Sequence, residues 1–165
     1  MVSHKIEINV PQQSLILQDT TTGEILFEAA VSTAANGVGE KNGSEQTPRG
    51  QHIICKKIGE AEAIDAVFVG RQATGELYSE TLRQQHPQRD WILTRILWLD
   101  GCEHNKNKTG NVDTKSRFIY IHGAPDDVQM GVPGSHGCIR MRNEDIITLF
   151  NLVEVGTPVN ITGDF

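Results

Sequence analysis

Ser135-His136-Gly137-Cys138-Ile139-Arg140-Met141, with His122-Gly123 sixteen residues before Cys138, is the stretch on which the reading of this chain turns. It combines a thiol nucleophile, two imidazoles and a glycine turn, the parts that cysteine acyl transfer requires. A thiol is mostly protonated at neutral pH, so Cys138 needs a nearby base. His122 and His136 are both candidates. His122 is the better placed, because it follows a buried strand that can fix its ring, whereas the aim of His136 beside a glycine is undefined. Gly137 lets the backbone turn sharply and lets a substrate carbonyl approach. The N–H groups of Gly137 and Cys138 would then face a developing oxyanion. In an extended segment Arg140 shares a face with Cys138, where a guanidinium can grip a substrate carboxylate.

Outward from this segment the pattern is mostly strand. Phe118 to Ile121 is a short apolar run ending at His122, and Trp91 to Leu99 is rich in β-branched and aromatic residues. Lys5 to Val10, Ser14 to Gln18, Glu24 to Val31, Gln51 to Lys57 and Val159 to Thr162 also read as strands. Asp19 to Gly23 reads as a hairpin turn, and Ala73-Thr74-Gly75 as a second. Asn36 to Gly50 and Gly101 to Lys115 are polar and read as surface loops. Ser79 to Arg83 has room for one helical turn. One principal helix stands out, with Asn143 as its N-cap and Asp145 in the first turn. Ile146, Leu149, Phe150 and Val153 form its apolar face, and Gly156 and Pro158 close it. The expected fold is mainly β (α+β), a β-sandwich-like or barrel-like single domain over residues 1–165.

The composition narrows the function. At 38% hydrophobic and 22% charged residues the chain folds rather than remaining disordered. Its net charge of −6 argues against nucleic acid and anionic membranes as partners. No stretch approaches the ~18–20 apolar residues of a membrane span. The first residues lack the apolar core of an export signal, so a cytoplasmic location is expected, with a periplasmic one as the alternative if a leader has been removed. Cys55, Cys102 and Cys138 are too few and too widely spaced for a disulfide framework. Zinc is a competing reading, since Cys102-Glu103-His104, His122, His136 and Cys138 offer ligands, but C-x-H and H-x-C spacings are unusual for structural sites. Cys55, His4, His52 and His86 read as structural or exposed. Oligomeric state is not encoded in any recognisable pattern.

At these residues the chain closely resembles the L,D-transpeptidase catalytic domain family, also called YkuD. That family's signature is His-Gly, a variable loop, then Ser-His-Gly-Cys followed by an apolar residue and Arg or Asn. Here it stands as His122-Gly123 and Ser135 to Arg140. Thr47-Pro48-Arg49-Gly50 and Gly156-Thr157-Pro158-Val159 resemble two further family segments, and Ala124 departs from a common threonine. The resemblance implies two mixed sheets with the cysteine at the floor of a groove. It implies attack by Cys138 on the L,D bond before the terminal D-Ala of a peptidoglycan stem peptide or muropeptide. His122 would be the base, the Gly123 carbonyl would orient it, and Ser135, His136 and Gly137 would shape the oxyanion hole. No metal or organic cofactor is implied.

The acceptor follows from compartment. In the cytoplasm the accessible substrates are soluble, which predicts an L,D-carboxypeptidase that trims tetrapeptide to tripeptide in murein recycling. An exported cross-linking transpeptidase and a non-catalytic peptidoglycan-binding module are the alternatives. Ala66 to Arg89 and Gly101 to Lys115 are expected to wall in the substrate, and Arg95 and Arg140 to meet its carboxylates.

Overall fold

The fold is described from a computed structural model and covers residues 3–163. Ten strands join in one mixed, curled sheet. They are β1 His4–Asn9, β2 Ser14–Asp19, β3 Ile25–Ala30, β4 Gly50–Ile58, β5 Ala66–Val69, β6 Gln72–Leu77, β7 Ile92–Gly101, β8 Tyr120–Gly123, β9 Ile139–Met141 and β10 Pro158–Thr162. The order is β3-β2-β1-β10-β4-β7-β5-β6, and β8 and β9 branch from β7. The two sheets expected from the resemblance are thus hydrogen-bonded into one, because β7 pairs with β4, β5 and β8, with β4 and β8 both meeting Ile96 to Trp98. Helix α1 spans Glu80–Gln85, and the principal helix α2 spans Asn143–Leu152.

Alternation builds the core. Ile6 and Ile8, Leu15 and Leu17, Leu97 and Leu99, Ile119 and Ile121, and Ile139 and Met141 all turn inward. The α2 face of Ile146, Leu149 and Phe150, with Val153 just beyond, closes onto them. Ile96, Trp98, Tyr120 and Cys138 therefore project to the opposite face, where they meet Phe68. This second face carries the chemistry.

Local chemistry explains where the expected elements shift. The hairpin of β5 and β6 turns at Gly70-Arg71, not at Ala73-Thr74-Gly75. Val69 pairs with Gln72, leaving a two-residue loop with φ of +57° and +66°. Positive φ at both positions matches the twist of paired strands. Ser79 caps α1, its hydroxyl accepting from the Leu82 N–H at 3.1 Å. Asn143 does not cap α2: Arg142 occupies the cap position without a side-chain bond, and Asn143 is buried. The helix ends at Val153, which turns extended, and Gly156 instead shapes the turn into β10. Asn36 to Gly50 is more than a surface loop, because Thr47 is fully buried and Val38 bridges to it. Gly101 to Lys115 folds back on β4, with the buried Asn107 side chain donating to the carbonyls of Arg49 and Gln51 at 2.9 and 3.0 Å.

His52 on β4 is a structural histidine. Its ring contacts the Gly50 carbonyl and the Thr114 hydroxyl, each at 3.0 Å. Burial pulls its pKa from 6.5 to about 4. The unfolded chain therefore takes up a proton near pH 6.5 that the folded chain refuses until about pH 4. Stability present above pH 6.5 is lost across that window, about 3 kcal/mol from this one group. Urea titrations from neutral pH down to pH ~4.5 are expected to show a steeper loss for the native protein than for His52→Asn. Parallel slopes would refute the assignment.

Candidate active site

The pleat sets the catalytic candidates in place. β8 and β9 run parallel, with Ile121 opposite Ile139 and His122 opposite Arg140. Ile121 and Ile139 point into the core, so Tyr120, His122, Cys138 and Arg140 share the other face, in adjacent rows. Cys138 is half-buried. Its Sγ accepts from the Tyr120 N–H at 3.3 Å and lies 3.4 Å from the Phe118 carbonyl, to which the thiol donates. Burial pushes the thiol pKa up to about 12, against the opposing pull of the Tyr120 N–H.

His122 is fully buried. Its Nδ1 lies 2.6 Å from the Gly123 carbonyl, which makes Nδ1 the protonated nitrogen. Nε2 is buried with no hydrogen-bond partner. Burial lowers the ring's pKa below 6.5, with the Gly123 carbonyl opposing. The resting pair is therefore a neutral thiol and a neutral imidazole. Gly123 is confined by contact: a Cβ there would sit 2.3 Å from Asn143 Oδ1 and 2.6 Å from the Leu93 carbonyl. Asn143 is the strut behind this strand end. It accepts from the Thr94 hydroxyl at 2.7 Å and donates to the Ala124 carbonyl and Asp65 at 3.0 Å each.

The turn before the cysteine is held from two sides. Ser135 Oγ donates to the Cys138 carbonyl at 2.6 Å and accepts from the Gly137 N–H at 3.2 Å. The Gly137 N–H is thus engaged inside the turn, contrary to its expected place facing an oxyanion. Thr47 Oγ1 donates to the Gly137 carbonyl at 2.9 Å. Gly137 has φ +136°, and a Cβ would meet Ile119 at 3.2 Å. Arg117 secures the neighbouring loop by donating to the carbonyls of Gly39, Glu40 and Gln46.

Two cavities meet at this face. One of about 300 Å³ reaches Cys138 and is lined by Phe68, Arg71, Arg117, Phe118 and Tyr120. The other, of about 250 Å³, is lined by Arg83, Arg89, Trp91, Pro125 and Arg140. Asp90 and His136 belong to both. Arg140 sits at the second cavity, donating to the Gly134 carbonyl at 3.1 Å and to Asp90 at 3.3 Å.

A family model described as the L,D-transpeptidase catalytic domain, YkuD, matches residues 3–161. The chain belongs to this family. Among solved structures, an L,D-transpeptidase from Mycobacterium smegmatis superposes with a TM-score of 0.62 at 18% identity, covering 98% of this chain and 59% of that one. The Enterococcus faecium L,D-transpeptidase C442S mutant gives 0.58 at 18% identity, covering 97% and 50%. These two likenesses concern the fold. By sequence, YqjB of Bacillus subtilis, named for the same activity, is 43% identical over 51 residues, 31% of this chain and 29% of YqjB. YbiS of Escherichia coli is 51% identical over 43 residues, 26% of this chain and 14% of its own length. The chain thus matches only a minor part of these curated relatives.

In this YkuD chain Ser135, Gly137 and Cys138 share one turn, His122 and Arg140 stand opposite each other on β8 and β9 beside it, and His136 and Arg140 line the neighbouring cavities. Arg95 does not join them. Its guanidinium donates to the carbonyls of Glu62 and Thr94 at 2.8 and 2.6 Å and lies 5.6 Å from the centre of the Phe150 ring, on the α2 side. It is a core strut rather than a carboxylate partner. Ala66 to Arg89 does wall the site, through Phe68, Arg71, Arg83 and Arg89, but Gly101 to Lys115 lines neither cavity. Among the described residues no group of three His, Cys, Asp or Glu is placed to hold a metal ion. No described helix is long and apolar enough to cross a membrane. Arg71, Asp90, Arg117 and Tyr120 are site residues the sequence reading missed.

Proposed function

We propose that the protein is a cysteine acyltransferase acting on peptidoglycan stem peptides, and that water is its acceptor: an L,D-carboxypeptidase converting tetrapeptide to tripeptide. One observation carries the reading. A thiol that lines an open cavity shares one face of adjacent strands with a buried imidazole whose Nε2 is unpartnered. Sγ attacks the carbonyl carbon of the L,D amide while His122 Nε2 takes the thiol proton. The Cys138 N–H meets the oxyanion, since the Gly137 N–H is engaged by Ser135. The C–N bond then breaks and His122 returns the proton to the departing D-Ala amine. His122 next takes a proton from water, whose oxygen attacks the thioester and frees the tripeptide and the thiol. His136, shared by both cavities, contacts the substrate, and Arg140 meets one of its carboxylates.

The choice of water rests on the cavities. They are small and lined by several arginines, which suits one soluble stem peptide with free carboxylates. A role in murein recycling in the cytoplasm belongs to the same proposal, and cell fractionation tests it. Purified protein incubated with disaccharide tetrapeptide is expected to release D-Ala and tripeptide. Cross-linked dimer as the main product would replace water by an amine. Absence of any product, with Cys138 also inert to imipenem, would overturn acyl transfer. A neighbouring fold was solved as LdtMt1 in complex with imipenem, with a TM-score of 0.57 at 20% identity.

A further inference from the structure

Of the two arginines that line the cavity reaching Cys138, one is already committed. Arg117 spends its guanidinium on three loop carbonyls and the Ser44 hydroxyl. Arg71 is different. It stands at the tip of the β5–β6 hairpin with φ +66° and lines the cavity that contains Cys138. Its guanidinium lies 4.6 Å from the centre of the Phe118 ring and 5.4 Å from that of Trp98. Nη1 donates to the Tyr120 hydroxyl at 3.2 Å. Among the described residues no carboxylate pairs with it, whereas Arg49, Arg83, Arg89 and Arg140 each have an acidic partner.

Aromatic faces hold a guanidinium by its plane and leave its N–H edge for ligands. A planar fork of donors fits a carboxylate in two parallel bonds. Tyr120 connects this fork to the nucleophile, because its N–H is the donor to Cys138 Sγ while its hydroxyl receives Arg71. We infer that Arg71 is the receptor for the free α-carboxylate of the residue beyond the scissile bond, and so confines cleavage to the end of the peptide. This deepens the stem-peptide reading and rests on it. Arg71 touches substrate and takes no proton. Its task is to select chains that end one residue past the bond attacked.

The test compares two substrates, disaccharide tetrapeptide with a free terminal D-Ala and the same molecule with a terminal carboxamide. The native protein is expected to favour the acid by about 10- to 100-fold in kcat/KM, the worth of a charge-assisted bond. Arg71→Asn, a residue that accepts left-handed backbone, is expected to slow cleavage of the acid far more than cleavage of the amide, and so to bring the preference close to one. Arg71→Lys, which keeps the charge but loses the fork, is expected to fall between. Equal losses on both substrates would make Arg71 a structural clamp and overturn the inference. Calorimetry with Cys138→Ala protein separates the two readings. Tighter binding of the acid, abolished by adding Arg71→Asn, upholds the carboxylate receptor even if the native protein turns over neither substrate. Equal binding of acid and amide overturns it whatever the turnover.

Discussion

Replacing Cys138 with alanine is expected to lower D-Ala release by on the order of 10⁴-fold or more, because the group that forms the covalent intermediate is gone. The fold should survive. Cys138 is only half-buried and makes two weak sulfur hydrogen bonds, from the Tyr120 N–H and to the Phe118 carbonyl, so the thermal midpoint should stay close to native. Incubation with imipenem, followed by intact mass measurement, should show one adduct on the native chain and none on Cys138→Ala. The high thiol pKa sharpens the expectation. With the thiol near 12, almost no free thiolate exists at neutral pH. Iodoacetamide, which needs a preformed thiolate, should therefore label Cys138 slowly. An acyl donor seated in the cavity should react faster, because His122 can take the proton during attack. Rapid iodoacetamide labelling at neutral pH would contradict a neutral resting pair, and undiminished D-Ala release by Cys138→Ala would refute the nucleophile.

The reach of the sequence differs from element to element for physical reasons. β1 is written in period two, β2 as a short apolar run before a turn, and the α2 face in period 3.6, so the hydrophobic pattern alone reveals them. The Ser135 to Arg140 turn is legible because nucleophile, glycine and arginine are contiguous. Arg71, Asp90 and Arg117 are not legible this way. They come from separate connections, and only long-range pairing brings them to one cavity. Asn143 misleads because asparagine is both a good cap and a good buried strut, and only the tertiary neighbours Thr94, Asp65 and Ala124 decide. Arg95 is legible as a core residue from its position on β7. It shares parity with Leu97 and Leu99, which are inward, and so belongs to the core side of β7.

His122→Gln carries the second large effect. Nδ1 is tied to the Gly123 carbonyl, and burial keeps the ring neutral, so Nε2 holds a lone pair at neutral pH. Removing this base is expected to cost about 10²–10⁴-fold in kcat/KM at pH ~7. The pH profile tests the assignment more severely. In the native protein activity requires neutral His122, so it falls as pH drops through the His122 pKa. That pKa lies below the ordinary 6.5, so the acid limb should have its midpoint below 6.5. Above it the rate should stay level through about pH 9, because the base remains neutral and delivers the thiolate in each turnover. In His122→Gln the only route is free ionisation of a thiol near 12. Its residual rate should therefore climb about tenfold per pH unit across the same range. The two curves converge as pH approaches the thiol pKa, which a folding defect would not produce. A level profile in the variant, or a native acid limb centred above 6.5, would remove His122 from the role of base and return the choice to His136.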